Sequence, residues 1–319
     1  MKKHILISGL AIVLSITQNY AQTPELVDSL LQNLNTATLD SVKADAMLSL
    51  SGVFRNSNPE KAQGYAQQAL DLSRSINYVK GEASALFHFG AISSGQSDYS
   101  SALKYYQQAL SLAENSTLKR EPVQYKLNIG IIYDITGDAA KAMEIYEEVL
   151  DDSRVIKDTV LETSAFQNMA ILHVYQGELS KAKEYFVKAK NVVEKINHPE
   201  MLGQITNNLA TVYSQLYEFD SARVYYQESL DLWKSRNNQF QVARTMYNMA
   251  IDELETGSGQ EAEQLWKSSL EIREQLGDAR GVGLCQSALG SYYSDRRDYS
   301  KAVNFFQQSL RSFEKAGLK

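Results

Sequence analysis

The 319-residue chain has a formal net charge of −6 and no Lys/Arg cluster longer than a pair, which argues against binding to a nucleic-acid backbone. Four prolines and a hydrophobic fraction of 44% indicate an ordered, helical, soluble protein rather than a disordered tail. The single cysteine, Cys285, excludes an intramolecular disulfide, and its apolar helical surroundings predict a buried side chain rather than an intermolecular disulfide or a reactive thiol.

The first 21 residues have the pattern of a secretory signal peptide. Lys2 and Lys3 precede a 12-residue apolar run, residues 5–16, and Ala21 offers a small residue before a cleavage point. As a helix this run would rise about 18 Å, against roughly 30 Å of bilayer hydrocarbon, which disfavours the alternative of an uncleaved anchor. Residues 1–21 are therefore predicted to be a signal peptide, with the mature chain in the periplasm. No membrane span is predicted after signal cleavage.

An N-terminal cap helix is predicted directly after the signal peptide. Residues 24–34 (PELVDSLLQNL) place apolar side chains at helical spacing, while polar residues occupy the opposite face. This segment precedes the repeated part of the chain. Residues 22–40 are therefore assigned to the cap helix and residues 41–319 to the repeats.

One 40-residue unit is repeated seven times, with an alanine (the register alanine) at the same position in every repeat. Twelve positions earlier the residue is small in six of seven repeats, and four positions later it is aromatic in six of seven. This pattern predicts two antiparallel helices in which the small residue permits close approach and the aromatic ring fills the space beside it. The register alanines are Ala62, Ala102, Ala142, Ala182, Ala222, Ala262 and Ala302.

These columns resemble the tetratricopeptide repeat. A period of 40 falls in the range of HEAT and armadillo repeats, whereas tetratricopeptide units usually have about 34 residues. The small, aromatic and alanine columns favour the tetratricopeptide repeat with lengthened helices, similar to secreted Bacteroidetes proteins and the sensor portions of certain histidine kinases. The resemblance implies an all-α fold, a right-handed superhelical α-solenoid of about seven helix pairs with an N-terminal cap helix. It is carried in repeat three by Gly130, Tyr133, Gly137, Asp138, Ala142, Tyr146 and Leu150.

A stripe on the first helix of each repeat is the candidate binding surface, at positions 18, 14, 11 and 7 before the register alanine. We call these positions the first-helix stripe. In the tetratricopeptide family this stripe faces the concave groove, and asparagines at the matching place hold an extended peptide backbone. Four asparagines recur there in repeats three to six, whereas His88 and Ala288 replace them in repeats two and seven. The predicted peptide-binding residues are Asn128, Asn168, Asn208, Asn248, Gln124, Gln204, Arg244, Ile171, Tyr175 and Ile251.

Two alternatives to peptide binding stay open for the asparagines. Copied repeats inherit residues, so the four asparagines are not independent observations, and their amides would also suit solvation or bonds to a neighbouring helix. Four net hydrogen bonds contribute about 2–6 kcal/mol, while micromolar affinity needs about 8 kcal/mol. Apolar anchors such as Ile171, Tyr175 and Ile251 would have to supply the difference.

The final helix carries an apolar face that no later repeat covers in this sequence. Val303, Phe306, Leu310 and Phe313 contribute to it. Three arrangements remain open: packing on the preceding helix alone, on a second copy as a homodimer, or on sequence outside this chain.

The leading functional prediction is a non-catalytic scaffold of the periplasm or cell envelope that binds a protein or peptide segment. The alternative is a sensing subunit, or a shortened sensor portion, of a two-component signalling protein. No nucleophile–base pair, phosphate loop or metal constellation is found in the sequence, so neither an enzyme nor a cofactor is predicted. His88 and His173 have no second histidine or carboxylate at helical ligand spacing in their own repeats and are interpreted as groove or core histidines.

Overall fold

The structure, a computed structural model, describes residues 24–318, so the predicted signal peptide lies outside the described residues. Within them the chain forms fifteen α-helices joined by short turns, with no strand. The helices are α1 (Pro24–Thr36), α2 (Asp40–Phe54), α3 (Pro59–Ser75), α4 (Val79–Gly95), α5 (Tyr99–Glu114), α6 (Arg120–Ile135), α7 (Ala139–Ile156), α8 (Thr159–Tyr175), α9 (Leu179–Val193), α10 (Pro199–Gln215), α11 (Phe219–Ser235), α12 (Gln239–Glu255), α13 (Gly259–Leu276), α14 (Ala279–Asp295) and α15 (Tyr299–Lys315).

From α2 onward, each 40-residue repeat of the described chain contains two helices, and the prediction of an all-α solenoid is confirmed. Helix α1 precedes the first pair and packs Val27, Leu30 and Leu34 against a cluster that includes Leu50 and Ile92. None of these observations tests the domain limits at residues 21 and 40, which stay predictions.

The chain divides into two compact units, which are described separately. The N-terminal unit comprises residues 24–172 of the described chain, and the C-terminal unit comprises residues 173–318. The division falls within α8.

The register alanines lie in the core, and the small-residue column meets the aromatic column as predicted. All seven alanines are at most 3% exposed. A methyl group added to Gly130 would lie 2.7 Å from Cε1 of Tyr146, and one added to Gly290 would lie 2.8 Å from Cδ1 of Phe306. These distances are shorter than carbon–carbon contacts allow, so a side chain at Gly130 or Gly290 would require the facing aromatic ring to move.

A second packing column is visible only in the structure. Nineteen residues before the register alanine, Gly203 and Gly283 lie against the rings of Trp233 and Phe313, where an added methyl group would again come within 2.8 Å. The backbone at this position also accepts a hydrogen bond in repeats five to seven. The bonds run from Ser229 Oγ to Gly203 O (2.8 Å), from Ser269 Oγ to Ala243 O (2.7 Å) and from Ser309 Oγ to Gly283 O (2.8 Å).

The turns between helices repeat as regularly as the core. The side chains of Asp98, Asp138 and Asp298 each accept a hydrogen bond from the backbone N–H three residues later, which caps α5, α7 and α15. Residues with positive φ occur five positions before and fifteen positions after the register alanine. The first set is Ser97, Gly137, Gly177, Tyr217, Gly257 and Arg297, and the second is Asn77, Lys157, Asn237, Gly277 and Gly317.

Two further observations concern single features of the described chain. Cys285 is fully buried, as predicted, and its Sγ lies 3.3 Å from Ser269 Oγ. Among residues 24–318, no helix has the length and apolar character needed to cross a membrane.

Candidate functional site

In the N-terminal unit, the first-helix stripe places Gln124 and Asn128 on α6, where both side chains are half-buried. Asn128 donates from Nδ2 to the carbonyl oxygen of Gln124 at 2.9 Å, and Arg120 donates from Nη1 to Gln124 Oε1 at 2.8 Å. The amide of Asn128 is therefore held by its own helix through one N–H. Its Oδ1 accepts no hydrogen bond from the described residues and is free to accept one from a ligand.

Asn168 and Ile171 on α8, in the same unit, are more deeply placed. Asn168 is 5% exposed and repeats the geometry of Asn128, donating from Nδ2 to the carbonyl oxygen of Ser164 at 2.8 Å. Ile171 is fully buried and belongs to the core in this structure. An apolar anchor for a ligand must offer accessible surface, which Ile171 does not have here.

In the C-terminal unit, the stripe asparagines on α10 and α12 are also buried. Asn208 is 1% exposed, and its Nδ2 has no hydrogen-bond partner among the described residues. The adjacent Asn207 accepts from Thr245 Oγ1 at 3.3 Å, while its own Nδ2 is likewise unpaired. Asn248 is 6% exposed. A buried amide N–H without a partner lowers stability. Because these N–H groups are buried, a ligand would reach them only if the helices around them moved apart.

The other predicted residues of the C-terminal unit differ widely in accessibility. Tyr175 is 59% exposed and Gln204 is half-buried. Ile251 packs against the buried cluster that contains Trp266 and Leu289. Arg244 donates to Gln241 Oε1 at 3.5 Å, and burial lowers the pKa of its guanidinium to about 10.

The structure thus places the predicted residues on the first helices, as the pattern requires, but with unequal access. Asn128, Gln124, Gln204 and Tyr175 offer surface to a ligand, whereas Ile171 and Asn208 do not. No ligand contact is established for any of them, and their assignment to a peptide site stays a prediction.

Sequence reasoning did not identify an acidic cluster between α11 and α12 in the C-terminal unit. Glu253, 4% exposed, receives two hydrogen bonds from Arg223, at 2.9 and 3.0 Å. Its neighbour Asp252 accepts a bond from Ser214 Oγ through Oδ1, but Oδ2 is buried with no partner in the described chain. Burial raises the pKa of Asp252 to about 6. A small cleft beside it is lined by Phe219, Tyr226, Met249 and Thr256.

His173 has a partner that the search at helical spacing missed. Its Nδ1 lies 2.7 Å from Glu178 Oε2 across the turn after α8, and its ring stacks on Tyr185 with a centroid distance of 5.3 Å. The turn brings together residues that would be far apart on one continuous helix. Within residues 24–318, no group of three or more His, Cys, Asp or Glu side chains is placed to hold a metal ion.

Comparison with family models gives the affiliation of the chain. Two models, both described as tetratricopeptide repeat, match residues 159–235 and 241–315, and residues 83–116 and 123–151. Together these matches cover more than half of the sequence. The chain belongs to the tetratricopeptide repeat family. A comparison with curated proteins finds no significant relative.

Solved structures with the same tetratricopeptide architecture resemble the chain at low sequence identity. A Rap protein complexed with Competence and Sporulation Factor shares 18% identity at a TM-score of 0.64, covering 91% of this chain and 80% of its own. The Rap conjugation gene regulator of plasmid pLS20, solved with the Phr* peptide, shares 18% identity at a TM-score of 0.63, covering 92% and 85%. The quorum sensor NprR from B. thuringiensis shares 12% identity at 0.56, covering 91% and 92%. These similarities show the fold.

Proposed function

We propose that this tetratricopeptide protein is a non-catalytic scaffold that binds an extended peptide or protein segment on its first-helix stripe. The observation that carries the proposal is Asn128, a half-buried stripe amide with one N–H bound to its own helix and an Oδ1 that accepts no hydrogen bond from the described residues. Such an amide is held in place and presents both an acceptor and a second donor to a peptide backbone. The Phr* complex of the similar Rap regulator supports a peptide as the ligand class.

Affinity selection with a random octapeptide library on the full chain tests the proposal. Retained peptides should lose about 2- to 10-fold in affinity to Asn128→Ala, because one or two net hydrogen bonds are removed. Asn191→Ala is the matched control, since Asn191 is an exposed asparagine on a second helix, α9. Equal losses in the two variants, or no retained peptide at all, would contradict the proposal.

The cellular location is a second part of the proposal, supported by the sequence of residues 1–21. A periplasmic protein should be processed after Ala21. Mass spectrometry of the protein from the periplasmic fraction is expected to give an N-terminal peptide that starts at Gln22. Recovery in the cytoplasm with Met1 retained would contradict this location.

A sensing role is the alternative function, and the similar quorum sensor NprR is the observation that favours it. In this case the protein would have two partners, and binding of a peptide to the stripe would change the activity of the second, a signalling protein. Genomic sequence after the codon of Lys319 that encodes a membrane helix and a kinase would favour the sensor, as would co-purification with a histidine kinase.

A second copy of the chain remains a proposed partner for α15. Phe306 is 42% exposed, whereas Trp266, at the same position in the preceding repeat, is only 3% exposed. Val303 and Leu310 are also more than half exposed on this helix. Light scattering should show a dimer that Leu310→Glu dissociates. The control Val155→Glu, at an 81% exposed position elsewhere, should leave the mass unchanged.

A further inference from the structure

A buried aspartate interrupts an apolar column of the repeats. Ten positions before the register alanine, repeats two to five carry a buried aliphatic residue and repeat seven a buried tyrosine, whereas repeat six, in the C-terminal unit, carries Asp252. A carboxylate in such a core position lowers stability unless a donor or a cation pairs with it, and repetition of the core does not account for Asp252. The equivalent residues are Ile92, Ile132, Leu172, Val212 and Tyr292.

Only one oxygen of Asp252 has a partner. Its Oδ1 accepts a hydrogen bond from Ser214 of α10, but its Oδ2 is buried and accepts none from the described residues. The adjacent Glu253 receives both hydrogen bonds of Arg223, one on each carboxylate oxygen, so this guanidinium already balances the charge of Glu253. Burial raises the pKa of Asp252 to about 6, so the group is largely ionised at pH 7. One buried negative charge is therefore left without an ion-pair partner within residues 24–318.

The cleft between α11 and the end of α12 leads from the surface to this carboxylate. Thr256 in its lining is exposed, whereas Tyr226 and Asp252 are buried, so the cleft connects solvent with the interior. Its volume is about 220 Å³ including the open mouth, below the roughly 300–1,000 Å³ of sites for drug-sized molecules. It therefore has room for little more than one side chain. We call it the Asp252 cleft, lined by Phe219, Tyr226, Met249, Asp252 and Thr256.

The lining of the Asp252 cleft combines apolar walls with hydrogen-bond acceptors. Phe219, Tyr226 and Met249 contribute two aromatic rings and a flexible thioether chain, which suit methylene groups and attract a cation. Thr256 Oγ1 donates its hydrogen to the carbonyl oxygen of Asp252 at 3.0 Å, so its lone pairs remain available as acceptors in the same cleft. A primary ammonium group has three donors and one positive charge, and an alkyl stem attached to it would lie against the apolar walls.

We propose that the Asp252 cleft binds the side chain of a lysine on a partner protein, with the ammonium group on Asp252 and the alkyl stem against Phe219 and Met249. Met249 is half-buried and its unbranched side chain changes rotamer readily, which opens the path to Oδ2. Arg223 also borders the cleft, but its two bonds to Glu253 balance its charge. No residue of the first-helix stripe lines the cleft, so this site is separate from the proposed peptide-binding surface and does not rest on that function.

The first experiment titrates n-pentylammonium chloride onto the full chain with isotope-labelled methionine methyl groups and follows the NMR signal of Met249, which lines the cleft. A saturable shift at millimolar concentration is expected. The controls are n-pentanol, which lacks the charge, and potassium chloride, which lacks the alkyl stem, and both should leave the signal in place. An equal shift with either control, or no shift with pentylammonium, would overturn the ammonium site.

Substitutions at Asp252 test whether the carboxylate is responsible for binding. Asp252→Asn preserves the size of the side chain but removes the charge, and should weaken pentylammonium binding by about 10-fold or more. Asp252→Val introduces the residue type that repeat five has at this position and should abolish binding. Asp231→Asn, at an exposed aspartate of α11, is the matched control and should bind as the wild-type chain does. Thermal unfolding confirms that each variant is folded, and unchanged affinity in folded Asp252→Asn would contradict the proposal.

The second experiment distinguishes a lysine side chain from a free alkylamine. Nα-acetyl-lysine N-methylamide should shift the Met249 signal in the wild-type chain and in Asp231→Asn, whereas its Nε-acetylated form, which has no charge, should not. A shift with pentylammonium alone would overturn the lysine side chain as the ligand. These probes report on the cleft and the octapeptide selection reports on the first-helix stripe, so failure of one proposal is distinguishable from failure of the other.

Discussion

Repeats five to seven, in the C-terminal unit, have a serine seven positions after the register alanine, and its hydroxyl donates to the backbone of the partner helix. Repeats one to three, in the N-terminal unit, have Ala69, Ala109 and Val149 there, all fully buried. A helical carbonyl has a second lone pair, so the serine adds a bond without breaking the helix. At this position, equivalent helix pairs are therefore held together by van der Waals contacts in the N-terminal unit and by an additional hydrogen bond in the C-terminal unit.

The largest difference in unfolding free energy between the two units is expected for substitutions at the glycines that pack against an aromatic ring. Gly130→Ala, in the N-terminal unit, is expected to lower the free energy of unfolding by about 2–3 kcal/mol, because the new methyl group would meet Tyr146, which is fully buried and has no room to move. Gly290→Ala meets Phe306, which is 42% exposed and is able to rotate away. There the gain in helix propensity of about 1 kcal/mol should offset the strain. Urea unfolding of the two variants measures the difference, and equal losses would show that the ring of Phe306 is as fixed as that of Tyr146.

Each unit also contains an aspartate with a buried, unpartnered Oδ2, Asp134 in the first and Asp252 in the second. Burial raises both pKa values to about 6 from 3.8. The folded state therefore binds a proton more tightly than the unfolded state, so this contribution to stability is complete below about pH 4 and is lost as the pH rises through 6. Asp252→Asn should raise the unfolding free energy by about 1–2 kcal/mol at pH 7.5 and leave it nearly unchanged at pH 4.

Asp134→Asn should show the same sign with a smaller effect, since Asp134 is less buried than Asp252. Unfolding curves at pH 4, 6 and 7.5 test both substitutions. A variant that is destabilised equally at every pH would mean that its carboxylate makes a hydrogen bond that this structure lacks.

The smallest difference in unfolding free energy between the two units is expected for substitutions that remove or add the serine hydroxyl. Ser229→Ala should lower the unfolding free energy by about 1 kcal/mol, the usual net value of one neutral hydrogen bond, which here joins Ser229 Oγ to the carbonyl oxygen of Gly203. The reciprocal change, Ala109→Ser, is expected to be tolerated within about 1 kcal/mol, because the carbonyl of Ala83 occupies the position of the acceptor. A loss well above 2 kcal/mol for Ala109→Ser would show that the N-terminal pairs are packed too tightly for a hydroxyl.

The sequence predicts the helices and their packing well, since both depend on side chains at fixed intervals. The contact of Gly130 with Tyr146 follows from columns that recur every 40 residues. The serine bonds were not predictable in this way because their acceptors are backbone carbonyls, which every residue has. His173 and Glu178 meet across a turn, outside any search at helical spacing.

The candidate site was less predictable than the fold. Periodicity indicates the face on which Asn128 and Asn208 lie, but the exposed area of each depends on neighbouring helices whose positions no local pattern gives. Asn128 is accordingly half-buried while Asn208 is almost completely buried.

The turn residues with positive φ recur at equivalent positions, so a segment of 40 residues between two such turns can be deleted or duplicated without a change in turn geometry. Ser97 and Gly137 occupy equivalent turns, five positions before Ala102 and Ala142, and both have positive φ. Deletion of residues 97–136 would therefore join α4 to α7 through a turn of unchanged geometry and would keep every later side chain in register. Recombination between such sites removes or adds two helices at a time, so the number of repeats is open to change by single genetic events.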